Sequence, residues 1–106
     1  MKAKSVIPRE LARQDVEGAI DYYLQEGGAR VAFGFVDALE ASYAQVGRQP
    51  AVGSPRYAHE LNLAGLRFVP LRRYPFLVFY FERDDHIDVW RMLHAERDVP
   101  AWMRVD

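Results

Sequence analysis

The hydrophobic period changes once along this chain of 106 residues, from helical spacing before Gly47 to strand alternation after Gly65. One element cannot satisfy both periods, so helices come first and a sheet second. Ala12, Val16, Ala19, Ile20, Tyr23 and Leu24 recur at helical spacing and form one apolar stripe, which Gly27-Gly28 ends. Ala32, Phe35, Val36, Leu39, Tyr43 and Val46 form a second stripe, closed by Gly47 and Pro50. Two amphipathic helices joined this tightly double back as an αα-hairpin. Gly18 and Gly34 fall inside the helices, where glycine costs about 1 kcal/mol relative to alanine, and predict close helix packing.

The flanks are read the same way. Residues 4–8 suit a short first strand, and Pro8 also suits the first turn of a helix. Residues 49–65, punctuated by Pro50, Gly53, Pro55 and Gly65, read as a connection. Residues 66–71, 76–82 and 86–94 read as strands, with short connections that force antiparallel pairing. Residues 76–82 are apolar on both faces and belong at the sheet's centre. In the last strand, alternation places Ile87, Val89, Arg91 and Leu93 on one face and Asp88, Trp90, Met92 and His94 on the other. The expected fold is α+β: a short N-terminal strand, an αα-hairpin, then a three-stranded antiparallel sheet, in one domain over residues 1–106.

Composition narrows the function classes. There is no cysteine, which excludes disulfides and thiolate metal sites and fits a cytoplasmic setting. The three histidines, His59, His86 and His94, lack metal-ligand spacing, so neither metal nor cofactor is expected. The longest apolar run is six residues, too short to cross a membrane, and the N-terminus lacks the apolar core of a signal peptide. Before Pro55 there are 6 basic and 7 acidic residues, and after it 8 of each. Neither half is basic enough for bulk binding of nucleic acid.

Several ordered motifs resemble the ParE branch of the RelE/ParE superfamily. Trp90-Arg91-Met92-Leu93-His94, followed by Arg97-Asp98, resembles that branch's ending. Gly65-Leu66-Arg67 resembles its entry to the first hairpin strand, and Tyr74-Pro75 with the aromatic residues after it resembles its central strand. Pro50 and Gly53 match a Pro-x-x-Gly after the second helix. Ala12, Asp15, Ile20 and Tyr22 match the first helix. The resemblance implies a type II toxin neutralised by a ParD-like antitoxin and directed at DNA gyrase by protein contact, without catalytic residues.

Tyr22 and Phe33 lie off their apolar stripes. With Tyr43 they are the expected antitoxin contacts on the outer helical surface, beside a free sheet edge. Arg73, Arg97, Trp102 and Met103 are the candidate target contacts. The alternative is a ribosome-dependent messenger ribonuclease of the RelE type. In that reading Arg67, Arg72 and Arg91 supply cations and His94 moves a proton. Against it, the only lysines are Lys2 and Lys4, and no tyrosine follows Tyr80. Arg91, on an otherwise apolar face, is expected to be paired, with Glu60 or Asp98 as partner. His94 is expected to be a hydrogen-bonded strand-end residue.

Overall fold

The computed structural model describes residues 2–96. Arg97, Trp102 and Met103 lie outside the described residues, as does Asp98.

Helix α1, Glu10–Arg48, is interrupted at Gly28, where φ is 79° and ψ is −177°. A straight helix of 39 residues would span roughly 58 Å, yet the longest extent of the molecule is 38 Å. The chain therefore reverses at Gly28, and the rings of Tyr23 and Phe35, one on each arm, sit 5.5 Å apart. This is the expected αα-hairpin. Only glycine takes the Gly28 conformation without strain. Gly28→Ala is therefore expected to lower stability by about 1–3 kcal/mol. Urea unfolding of the variant beside the parent checks this.

The sheet has four strands: β1 (Ser5–Pro8), β2 (Arg67–Pro70), β3 (Phe76–Glu82) and β4 (His86–His94), in the order β1-β4-β3-β2. Strands β2, β3 and β4 are antiparallel neighbours, as expected. The first strand joins them in parallel beside β4, so the sheet is mixed and has one strand more than the antiparallel three. Pro8 ends β1 rather than opening the helix.

Residues 49–65 also hold more order than their turn-formers predict. A 3-10 turn at Pro50–Val52 and helix α2 (Arg56–Glu60) lie within them. Tyr57 of α2 packs its ring 5.4 Å from Phe68 and 5.7 Å from Phe79. So α2 helps cover the face of the sheet opposite the hairpin. On the hairpin side the core contains Phe35, Leu39, Val78, Tyr80, Ile87, Val89 and Met92. On the α2 side it contains Leu66, Phe79, Phe81 and Leu93, with Trp90 packed against them. Two covered faces explain why β3 is apolar throughout.

The expected faces of β4 are corrected by a bulge. Tyr80 pairs with Val89 and Phe79 pairs with Arg91, which leaves Trp90 without an opposite residue. One inserted residue reverses every later side chain. Met92 therefore shares the hairpin face with Ile87 and Val89, and Leu93 joins Trp90 on the opposite face.

Two motif positions acquire physical reasons. The Tyr80 hydroxyl donates to the Pro50 carbonyl at 2.6 Å and accepts the Gly53 N–H at 2.9 Å. A Cβ on Gly53 would lie 2.5 Å from that hydroxyl, so the Pro-x-x-Gly spacing is the footprint of the buried phenol. Burial pushes the Tyr80 pKa up. Close helix packing is not what the interior glycines serve. A Cβ on Gly34 would lie 2.5 Å from the Tyr74 hydroxyl, which donates to the Val31 carbonyl at 3.1 Å. A Cβ on Gly18 would meet nothing within 4 Å.

Candidate functional site

The space at Gly18 belongs to an open groove of about 560 Å³ between the first arm of α1 and the end of β4. Asp15, Gly18, Ala19, Tyr22 and Tyr23 form the helical wall. Arg91, Met92, Leu93 and His94, with Pro75 and Phe76, form the other. Helical spacing puts residues 15, 18, 19 and 22 on one side of α1, which presents them together.

The β4 wall carries unpaired backbone. The Ala95 N–H donates to the Pro75 carbonyl at 2.8 Å, and the register pairs Leu93 with Leu77 and Arg91 with Phe79. In an antiparallel ladder this turns the backbone groups of residues 91 and 93 toward β3 and those of Met92 and His94 away from it. On that outer side β1 stops short. Its last pair is Pro8 with Val89, and the Arg9 N–H donates to the Val89 carbonyl at 2.9 Å. Beyond Val89 this edge has no strand partner among the described residues.

Asp15 closes part of it. One carboxylate oxygen accepts the Arg91 Nε–H at 2.8 Å and the Met92 N–H at 3.0 Å, and the other accepts from Arg91 Nη2 at 2.9 Å. Both side chains are largely buried, with 16% of Asp15 and 10% of Arg91 exposed. The hydrogen bonds that Arg91 donates to the carboxylate raise its pKa against the opposing effect of burial. Arg91 is paired as expected, but with Asp15 rather than with Glu60, and Asp98 is outside the described residues. A carboxylate beside Ala12 and Ala19 on a buried stripe was the signal available, since such a group needs a cation.

The remaining candidates are scattered. His94 accepts the Glu96 N–H on Nδ1 at 3.1 Å, so its proton sits on Nε2 when the ring is neutral. Its ring lies edge-on to Phe76 at 5.5 Å. Arg67 donates to the Gly53 carbonyl at 2.6 Å and to the Ala51 carbonyl at 3.2 Å. It pairs with Tyr80, whereas His94 pairs with Phe76, so the two stand about 13 Å apart along β3. Arg72 and Arg73 are exposed on the turn before Tyr74, Arg73 at a φ of 70°. The structure therefore brings Arg91 and His94 to the groove and leaves Arg67 and Arg72 outside it.

Of the aromatic candidates, Tyr22 lines the groove and is 59% exposed. Phe33, 68% exposed, stands on the other arm outside the groove. Tyr43 packs against the core, and burial pushes its pKa up to about 12. Of the groove's other contributors, Gly18, Tyr23, Met92 and Phe76 carry a sequence signal only for packing or framework. No group of three potential metal ligands occurs among the described residues, and no described helix is long and apolar enough to cross a membrane.

A second polar cluster lies on the α2 side. Asp88 accepts from Arg9 at 2.9 and 2.7 Å and from Arg83 at 3.1 and 2.9 Å. Arg9 lies over Trp90 at 5.8 Å and Arg83 over Phe81 at 4.7 Å. The Arg9 hydrogen bonds, with help from Arg83, hold the Asp88 pKa below 3.8 against burial. A carboxylate depressed by folding contributes stability above its unfolded pKa and loses it as pH falls through the folded one. Asp88→Asn is expected to cost about 1–3 kcal/mol near pH 7, toward the lower end because both guanidinium groups can be hydrated. The difference from the parent should shrink below pH 3.8, and parallel denaturant titrations at several pH values would show it.

Fold and groove together define a class: a helical hairpin on a small mixed sheet, with an open strand edge beside the hairpin. The chain belongs to the family described as the ParE toxin of the type II toxin–antitoxin system parDE, whose model matches residues 6–99. Among solved structures it is similar to the chromosomal ParDE toxin–antitoxin system from P. aeruginosa. The TM-score is 0.74 at 20% identity, over 89% of this chain and 98% of that one. No curated protein matches the sequence.

Proposed function

We propose that the chain is the toxin of a type II pair, held inactive by a ParD-like antitoxin lying along the groove and the hairpin. Once free, it acts on DNA gyrase by protein contact. The open β4 edge beside an apolar groove carries this reading. An extended segment can add to such an edge by backbone hydrogen bonds while its side chains enter the groove. Tyr22 in the groove and Phe33 on the hairpin offer further apolar contacts, with Tyr43 contributing only its unburied part. The family assignment and the paired system named for the similar structure support a partner of this kind.

The ribonuclease alternative gains little from the geometry. Arg91 is neutralised by Asp15, Arg67 is tied to the Gly53 loop, and of the four residues that reading names only His94 stands at the groove without such a tie. A net charge of −1 also disfavours direct binding to ribosomal or other nucleic acid. Exposed Arg73 is retained as a target contact, with Arg97, Trp102 and Met103, and the setting proposed is the cytoplasm.

Two measurements test this. Purified chain should inhibit supercoiling by gyrase, and the ParD-like protein encoded beside it should restore activity. Intact supercoiling together with cleaved messages would replace this reading with the ribonuclease. For the surface, Tyr22→Asp with Phe33→Asp should weaken antitoxin binding about 100-fold or more. Unchanged affinity in that double variant would remove the outer helical surface from the contact.

A further inference from the structure

The β4 edge is bounded at one end by β1 and Asp15. Strand β1 occupies the edge as far as Val89, and Arg9 caps the Val89 carbonyl. Asp15 then consumes the Met92 N–H and cannot move without leaving Arg91 buried and unpaired. Among the described residues, the groups left facing outward are the Met92 carbonyl and both the N–H and carbonyl of His94.

Gly18 points the same way. Glycine inside a helix costs about 1 kcal/mol relative to alanine, and that cost normally returns as close packing. Among the described residues it returns nothing, because a Cβ there would touch none of their atoms within 4 Å. The space it leaves opens onto the groove, whose walls include Tyr22, Tyr23, Phe76, Met92 and His94.

Resting on the antitoxin reading above, we infer that Asp15 is a register stop for the incoming antitoxin strand. That strand pairs with β4 only from the Met92 carbonyl to His94. The first of its side chains on the hairpin side is a bulky apolar one that fills the vacancy at Gly18. Donor and acceptor complementarity sets the pairing: the partner must give an N–H to Met92, and it finds one donor and one acceptor at His94. The chemistry of the walls sets the side chain, since Ala19, Tyr22, Tyr23, Phe76 and Met92 line the groove onto which the space opens. Asp15 touches no partner atom in this scheme. It is a positioning residue acting through Met92.

Amide exchange followed by NMR on the free toxin and on its complex with the neighbouring ParD-like antitoxin tests the stop. The Met92 amide should be slow in the free toxin and little changed by the antitoxin. The His94 amide should slow by about 100-fold or more on complex formation. Full-affinity binding that left His94 exchange unchanged would overturn the inference while sparing the antitoxin reading. Absence of any binding would overturn both.

Gly18→Leu tests the vacancy. It should melt at or above the parent temperature, because leucine favours the helix and its Cβ meets no described atom within 4 Å, yet weaken antitoxin binding about 100-fold. Gly18→Ala, which only narrows the space, should lose about tenfold or less. Parental affinity in a folded Gly18→Leu variant would dismiss the vacancy as a partner site.

Discussion

Asp15→Ala is expected to lower the unfolding free energy by about 3–5 kcal/mol, a large share of what a domain this size possesses. The loss has two parts. Arg91, 10% exposed, would keep its charge with no partner, and its guanidinium is too basic to escape by losing a proton. The Met92 N–H would also lose its acceptor. Either part alone costs on the order of 1–3 kcal/mol or more. Denaturant unfolding measures the sum, and a companion variant separates the parts. Asp15→Leu with Arg91→Met removes the charge problem and leaves only the orphaned N–H, so it should recover more than half of the loss. A double variant no more stable than Asp15→Ala would mean that the ion pair contributes through something other than relief of a buried charge.

The same pair marks how far the sequence could be read. Both helical stripes, the reversal at Gly27-Gly28 and the three hairpin strands are local patterns, and each was legible because burial imposes a period on its own segment. The pairing of Asp15 with Arg91 joins residues 76 positions apart, and no local period encodes that distance. Nor does any period announce the bulge at Trp90, which reversed the expected faces of Met92 and Leu93. The parallel seating of β1 against β4 is hidden for a related reason. A strand of four residues can pair with either edge of a sheet, and long-range packing chooses. In residues 49–65 the turn-formers dominate the pattern and hide the Tyr57 face that docks α2. The candidate site was legible as residue types and not as a place. Tyr22, Arg91 and His94 converge on one groove, while Phe33, Tyr43, Arg67, Arg72 and Arg73 do not line it. The vacancy at Gly18 shows only once both walls exist.

Phe35 and Phe33 are two residues apart and should behave oppositely. Phe35 is fully buried, with its ring 5.5 Å from Tyr23, 5.6 Å from Tyr74 and 5.7 Å from Phe76. It joins both arms of the hairpin to the sheet. Phe35→Ala leaves a cavity that these neighbours, held in place by helix and strand backbones, can only partly close. The expected cost is about 3–5 kcal/mol. Tyr23 and Phe76 also line the groove, so on the proposed reading the remaining folded protein should bind antitoxin more weakly. Phe33, 68% exposed, gives up little burial on truncation. Phe33→Ala should change stability by about 0.5 kcal/mol or less. If it contacts the antitoxin as proposed, the same variant should still lose affinity. Unfolding and binding measured on both variants form a two-by-two comparison. A Phe33→Ala variant that lost as much stability as Phe35→Ala would place Phe33 inside the core and remove it from the partner surface.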